Sequence, residues 1–272
     1  MSAIAKARCF FDDALHYAKF LGVSIVGKKR DICIAACILL LLWQLLAMLL
    51  NTIALPQPWR VGWSVVNKLV DGTMLDDLVI SAIRALLGIV LALVSAVPLG
   101  LAVGAEEGLN RRISPFIYLL YPIPHVVLLP IIIILFGIGN FSKIFLIALI
   151  VFFQILVTTR DAAKNINRNY FYSMQSLGAT RLQIYRHVIL PAALPKILTA
   201  LRISIGTSVA ILFFVESFAT MKGLGYVIMD SWGRADYVAL YTGISYMAML
   251  GFGLYVLLDI LEKRLCPWSV AG

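Results

Sequence analysis

Four polar residues interrupt long apolar runs in this sequence: His125, Gln154, Arg202 and Glu216. In hydrocarbon a central charged side chain costs about 2.5–3.5 kcal/mol on insertion scales, so such residues mark a solute or ion pathway by default. His125 follows the Pro122-Ile123-Pro124 break, and Gln154 stands inside an apolar run. Arg202 lies within another run, and Glu216 follows the apolar stretch from Ile211 to Val215. Each also has a structural reading. Arg202 and Glu216 can be partners of other polar groups, although they are too far apart for an i,i+4 pair on one helix. Gln154 can be interhelical glue, worth about 0.6 kcal/mol in typical cases. His125 can cap backbone freed by the prolines. The small residues Gly206, Thr207 and Ser208 suit close helix packing or a weak hydrogen-bonding site.

Catalytic and metal chemistry find little to work with. The three histidines, His16, His125 and His187, lie far apart in sequence, with no ligand spacing joining them. Cys33 and Cys37 share a helix face at i,i+4, but two thiols without a nearby His make a poor metal site. With Cys9 and Cys266 they suggest no disulfide framework. The sequence holds no Gly-x4-Gly-Lys-Ser/Thr phosphate loop. No catalytic residue, metal ligand or cofactor is therefore assigned, and any ATP used belongs to another chain.

The elements that position these residues follow from composition. Of 272 residues 61% are hydrophobic and 14% charged, against about half and about a quarter in a soluble domain. This is the balance of an all-α integral membrane protein. The net charge of +9 sits between the apolar runs, which fits a positive-inside bias and not nucleic-acid binding. A hydrocarbon core about 30 Å thick needs about 20 helical residues. Runs of that kind predict about six spans, near residues 32–50, 80–103, 116–136, 141–160, 189–218 and 238–260. Pro122, Pro124 and Pro130 interrupt the third. Arg84 falls near the outer end of the second, where a long side chain can snorkel.

Placing the N-terminus inside puts most Lys and Arg, including Lys28, Lys29, Arg30, Arg160, Lys164, Arg168, Arg181, Arg186, Lys263 and Arg264, in cytoplasmic segments. Both termini are then cytoplasmic. Residues 1–30 form a cytoplasmic or interfacial segment, residues 31–265 the membrane domain and residues 266–272 a short tail. Phe10, Phe11, Ala14, Leu15, Ala18 and Leu21 recur at helical spacing, as in an interfacial amphipathic helix. Residues 55–77 are polar enough to lie outside the membrane.

The cytoplasmic connection over residues 161–187 is too long and too patterned for a simple link. Its centre, Ser176-Leu177-Gly178-Ala179-Thr180-Arg181, reads as two short helices joined at Gly178, with Thr180 capping the second. Pro191 and Pro195 mark the first turns of the next span. Such a helix pair makes either a docking knob for a soluble partner or an amphipathic loop resting on headgroups.

This stretch resembles the EAA loop of bacterial ABC-importer permeases. Gly178 is followed by nine residues and then Val188-Ile189-Leu190-Pro191, which matches the family spacing, whereas Tyr172, Ser173 and Met174 stand where the family has Glu-Ala-Ala. Further fragments resemble the nitrate/sulfonate/taurine branch in order along the chain. They are Leu55-Pro56-Gln57-Pro58, Ser81-Ala82-Ile83-Arg84, Pro98-Leu99-Gly100, Phe136-Gly137-Ile138-Gly139 and Gly223-Leu224-Gly225-Tyr226. The resemblance implies the type I, MetI-like importer architecture in a bacterial inner membrane. It implies two ATPase subunits docked on residues 171–187, a second permease copy and an external substrate-binding protein, all in membrane lipid. It implies a small anion such as a sulfonate, taurine or nitrate as solute, or a heterocyclic vitamin precursor. The competing classes are a stand-alone secondary transporter, which needs matching broken helices in two halves, and a membrane-embedded enzyme.

Overall fold

The computed structural model describes residues 26–218 and 220–267. The amphipathic segment expected around Phe10 to Leu21 lies outside them. All regular structure among the described residues is helical. The chain divides into two compact units, one of residues up to Leu75 with Ser231–Thr242, the other of Asp76–Asp230 with the residues from Gly243 on.

In the first unit, helix α1 (Val26–Leu50) is the first apolar span. Leu39, Leu41 and Leu49 are 66%, 69% and 72% exposed. Such a bare apolar surface is the kind a membrane span presents to lipid or to another helix. Its last turns pack inward through Ala47, and Trp43 rests on Tyr241 with ring centroids 5.4 Å apart. Helix α2 (Pro58–Val70) starts with proline in its first turn after extended Gln57. The missing proline N–H costs nothing there, because that donor has no intrahelical partner. Val61 and Val65 are its buried positions.

The second unit holds most of helix α3 (Leu75–Ala105), then α4 (Glu107–Leu120), a 3₁₀ turn (His125–Leu128), α5 (Leu129–Phe136) and α6 (Asn140–Lys164). Next come α7 (Arg168–Ser176), α8 (Arg181–Ile184), a π-helical turn (Tyr185–Ile189) and α9 (Leu190–Ser217). Helices α10 (Leu224–Gly233) and α11 (Tyr237–Leu265) follow, with residues 231–233 and 237–242 of them belonging to the first unit. Helix α6 packs along α9 and carries the core.

Helices in lipid gain nothing from burying apolar surface against each other, so they associate where small residues allow close packing. Here Ala85, Ala92 and Ala96 are fully buried along α3. A Cβ on Gly88 would fall 2.6 Å from the Ile147 side chain, one on Gly100 2.7 Å from Thr159, and one on Gly104 2.3 Å from the Arg160 carbonyl oxygen. Three glycines thus set the approach of α3 to α6.

Among the described residues five helices are long and apolar enough to cross a membrane, or six with α4 and the segment His125–Phe136 taken as one bent span. The bounds of these helices differ from those of the expected runs. The second and fourth are longer, at Leu75–Ala105 and Asn140–Lys164. The third begins earlier, at Glu107, and turns through 77° between Leu120 and His125. The cause is local. Pro122 and Pro124 remove two backbone donors, and each disfavours helical geometry in the residue before it.

Candidate functional site

Two features stand out, an elbow between α6 and α9 and a cleft beside α6. The elbow is built from its caps upward. Asn167 opens α7 by accepting a hydrogen bond from the Asn169 backbone N–H at 3.0 Å. The helix closes with a paired C-terminal motif: the Gly178 N–H donates to Gln175 at 2.9 Å and the Ala179 N–H to Met174 at 3.0 Å. That pairing requires a left-handed residue between them, and Gly178 supplies it with φ of +74°. Thr180 and Gln183 then form a reciprocal capping box on α8. In the π turn the Leu190 N–H reaches back to the Tyr185 carbonyl, and Pro191 sits in the first turn of α9. A π turn tolerates the proline because its bonds skip one residue further back.

One face of the elbow is anchored. Phe171, Met174, Ala179, Tyr185 and Val188 pack on a core that includes Leu101, Ala162, Ala163, Ile184 and Ile197. The other face is bare, with Leu177 81% and Leu182 78% exposed and Tyr170 and Tyr172 beside them in the chain. The six residues expected to couple to a partner, Ser176, Leu177, Gly178, Ala179, Thr180 and Arg181, run from the last residue of α7 through the turn to the first residue of α8. Around Gly178 an added Cβ meets nothing within 4 Å. Its glycine is required by backbone conformation and not by internal space.

The cleft, about 360 Å³, is lined by Tyr121, His125, Phe153, Gln154, Thr207 and neighbouring apolar side chains. His125 stacks on Phe153 with ring centroids 4.6 Å apart. Gln154 donates to Thr207 at 3.2 Å and accepts from Ser204 at 3.1 Å, tying α6 to α9. The structure thus brings His125 and Gln154 into one space and adds Thr207 from the small-residue stretch. An apolar wall with a few neutral polar groups is the usual make-up of a small-solute site.

Arg202 and Glu216 are placed elsewhere. Arg202 binds Glu262, lies 3.6 Å from Asp259, and spreads its guanidinium over Tyr255 at 5.5 Å. It joins α9 to α11. Glu216 has no exposed surface. Its carboxylate accepts from Arg84 Nη1 at 2.7 Å, from Ser81 Oγ at 2.9 and 2.8 Å, and from the Gly225 N–H at 2.9 Å. Arg84 is only 4% exposed and also donates to Asn140 and to the Lys222 carbonyl. The snorkelling expected of Arg84 is corrected by this pairing: about two and a half turns of helix precede it, and a buried carboxylate satisfies it in place. Nearby, Lys143 is buried with its ammonium on the carbonyls of Ile138 and Gly139.

Sequence reasoning gave Arg84 no buried partner and gave Ser81, Asn140 and Gly223 no place in a site. One local signal was present: Ser81 and Arg84 stand at i,i+3, which puts two polar groups on one face of an apolar helix.

Polar groups inside closely packed apolar spans, and an anchored elbow with a bare apolar tip, define a helical membrane permease. Residues 88–266 match the model of the family described as the binding-protein-dependent transport system inner membrane component, and the chain belongs to that family. It is a multi-pass inner-membrane protein and an ABC transporter permease. Over 238 residues it is 33% identical to the taurine transport system permease protein TauC of Escherichia coli (strain K12), covering 85% of this chain and 86% of that one. Over 231 residues it is 27% identical to the formylaminopyrimidine transport permease protein ThiX of Halalkalibacterium halodurans, covering 85% and 92%. Its fold is similar to a chain of the inward-facing MetNI methionine ABC transporter, with a TM-score of 0.61 at 18% identity over 71% of this chain and 95% of that chain.

Proposed function

We propose that this chain forms the solute pathway of an ATP-driven importer for a small sulfonate such as taurine. It works as a pair of identical copies with two ATPase subunits and an external substrate-binding protein. ATP hydrolysis takes place on the separate ATPase subunits. Both termini face the cytoplasm, with residues 1–30 at that surface, residues 31–265 as the membrane domain and residues 266–272 as a tail. The elbow, over residues 171–187, docks the ATPase.

The observation that carries this reading is the two-faced elbow. Its caps and its apolar inner face fix it to α3, α6 and α9, while Leu177 and Leu182 stay bare. A knob fixed this way passes a push at its tip into the spans as a rigid body. Among the expected pathway residues, His125 and Gln154 keep that role, joined by Thr207 in the cleft. Arg202 and Glu216 take the structural role, because each is already paired between helices. Taurine is the solute named for a relative 33% identical over most of this chain, and it is a small organic sulfonate.

The test is uptake of labelled taurine into proteoliposomes holding the chain with its cognate ATPase and binding protein. The account expects accumulation that needs ATP and both partners. Accumulation by the chain alone, driven by an ion gradient, contradicts the importer reading. ATP-dependent uptake of another solute, with taurine neither carried nor competing, contradicts the substrate alone.

A further inference from the structure

Helix α2 has three faces, and only one is explained by the fold. At about 100° per residue, Val61 and Val65 point inward and are 2% and 9% exposed. Arg60, Ser64, Asn67 and Lys68 occupy a polar arc. Between them runs an apolar arc of Trp59, Trp63, Val66, Leu69 and Val70, which are 63%, 67%, 53%, 50% and 63% exposed. Five large apolar side chains in one bare stripe demand a cover.

We infer that this stripe is seated in the lipid interface, so that α2 lies along the membrane surface at the C-terminal end of α1. Three observations select lipid as the occupant. First, α2 cannot stray from the bilayer: residues 51–57, at no more than about 3.4 Å each, hold its start within about 25 Å of the last turn of α1. Leu49 and Leu50, in that turn, are themselves exposed apolar side chains on a membrane span. The bare stripe therefore continues a lipid-facing surface. Second, the stripe carries two tryptophans, the residue whose flat apolar body and single N–H suit the headgroup boundary. Third, the polar arc opens the other way. Arg60 lines a cleft of about 490 Å³ in which Asn51, Thr52, Gln57 and Asp236 stand among Ala47, Ile53, Leu55 and Val238, and this arc carries the charged groups of the helix. A basic polar arc opposite a Trp-rich apolar arc is the pattern of an interfacial helix. Helix α2 then fixes the depth of α1 in the bilayer.

The test compares the tryptophan emission of the full chain and its Trp59→Phe/Trp63→Phe variant, reconstituted in bilayers of brominated phosphatidylcholine. The difference between the two reports Trp59 and Trp63. The inference expects that difference signal to be quenched strongly by bromine near the headgroup end of the acyl chains, and less by bromine near the bilayer centre. It expects little quenching by aqueous iodide. Strong iodide quenching with weak bromolipid quenching places the stripe in water, free for a soluble binding protein, and overturns the inference. Quenching by neither places it under protein and also overturns it. A second measurement does not rely on the tryptophans: a polarity-sensitive label on Val66→Cys should emit at shorter wavelength than the same label on Asn67→Cys. Equal emission from the two sites counts against seating in lipid.

Discussion

Arg84 and Glu216 stand 132 positions apart in the chain and meet at 2.7 Å with almost no exposed surface on either side chain. The pair closes a ring of polar contacts. Ser81 touches both carboxylate oxygens and accepts from the Leu224 N–H at 2.9 Å, while Asp77 accepts from the Gly223 N–H at 2.7 Å. Helix α3, the end of α9 and the start of α10 are thereby pinned at one point. Breaking such a pair from one side leaves an uncompensated buried charge, which costs about 3–5 kcal/mol.

Glu216→Ala should therefore destabilise the solubilised protein by about 3 kcal/mol, read as a lower midpoint in denaturant. Arg84→Met/Glu216→Leu, which removes both charges, should recover most of that loss. If the double variant is as unstable as the sum of the single ones, the two side chains are not coupled.

Gly223 belongs to the same ring. Its φ is +116°, and an added Cβ would come within 2.5 Å of the Glu216 carboxylate and 2.7 Å of Arg84 Nη1. Gly223→Ala should lower stability by at least about 2 kcal/mol, the combined scale of backbone strain and overpacking. Gly178→Ala meets only the backbone cost, about 1 kcal/mol, because its Cβ points into open space. Thermal unfolding of the two variants in detergent should rank them in that order.

The capping box tests whether a well-formed elbow matters for coupling. Thr180→Ala removes the side chain that caps α8, a loss of about 1 kcal/mol. The account expects normal insertion and a reduced rate of ATP-dependent uptake, with Thr180→Ser restoring it. Uptake unchanged in Thr180→Ala shows that fraying of α8 is tolerated.

In the cleft, Gln154 bridges Thr207 and Ser204. A single interhelical hydrogen bond in a membrane is worth about 0.6 kcal/mol, so Gln154→Leu should fold. If the cleft carries solute, the variant changes the solute concentration at half-maximal uptake or the solute preference. Uptake kinetics identical to the native chain would assign Gln154 to packing alone.

The elbow was the most legible part of the sequence, because its signals are local: a glycine where a left-handed residue is needed, a threonine placed to cap a helix, and a proline at a helix start. The spans were legible as apolar runs, but the 77° turn in the third was not. Prolines announce a break without fixing its angle. The role of Arg84 was hidden for a different reason. A charge near the end of an apolar run looks the same whether it reaches for water or for a carboxylate 132 positions away, and helical spacing reveals only partners on the same helix. Glu216 and Arg202 were found as polar residues in apolar runs, yet that signal alone does not separate a pathway from an interhelical pair.

The central claim is that the turn at Gly178 is where the ATPase docks, and co-purification from detergent-solubilised membranes tests it most directly. The native chain and Gly178→Arg are each expressed with their genomic neighbours, and ATPase activity is measured in the eluate. The account predicts activity with the native chain and its loss with the variant, at equal amounts of inserted permease, because the new side chain projects into open space and disturbs the partner more than the fold. Equal ATPase activity with both chains contradicts docking at this turn, and none with a native chain that still transports contradicts the importer itself.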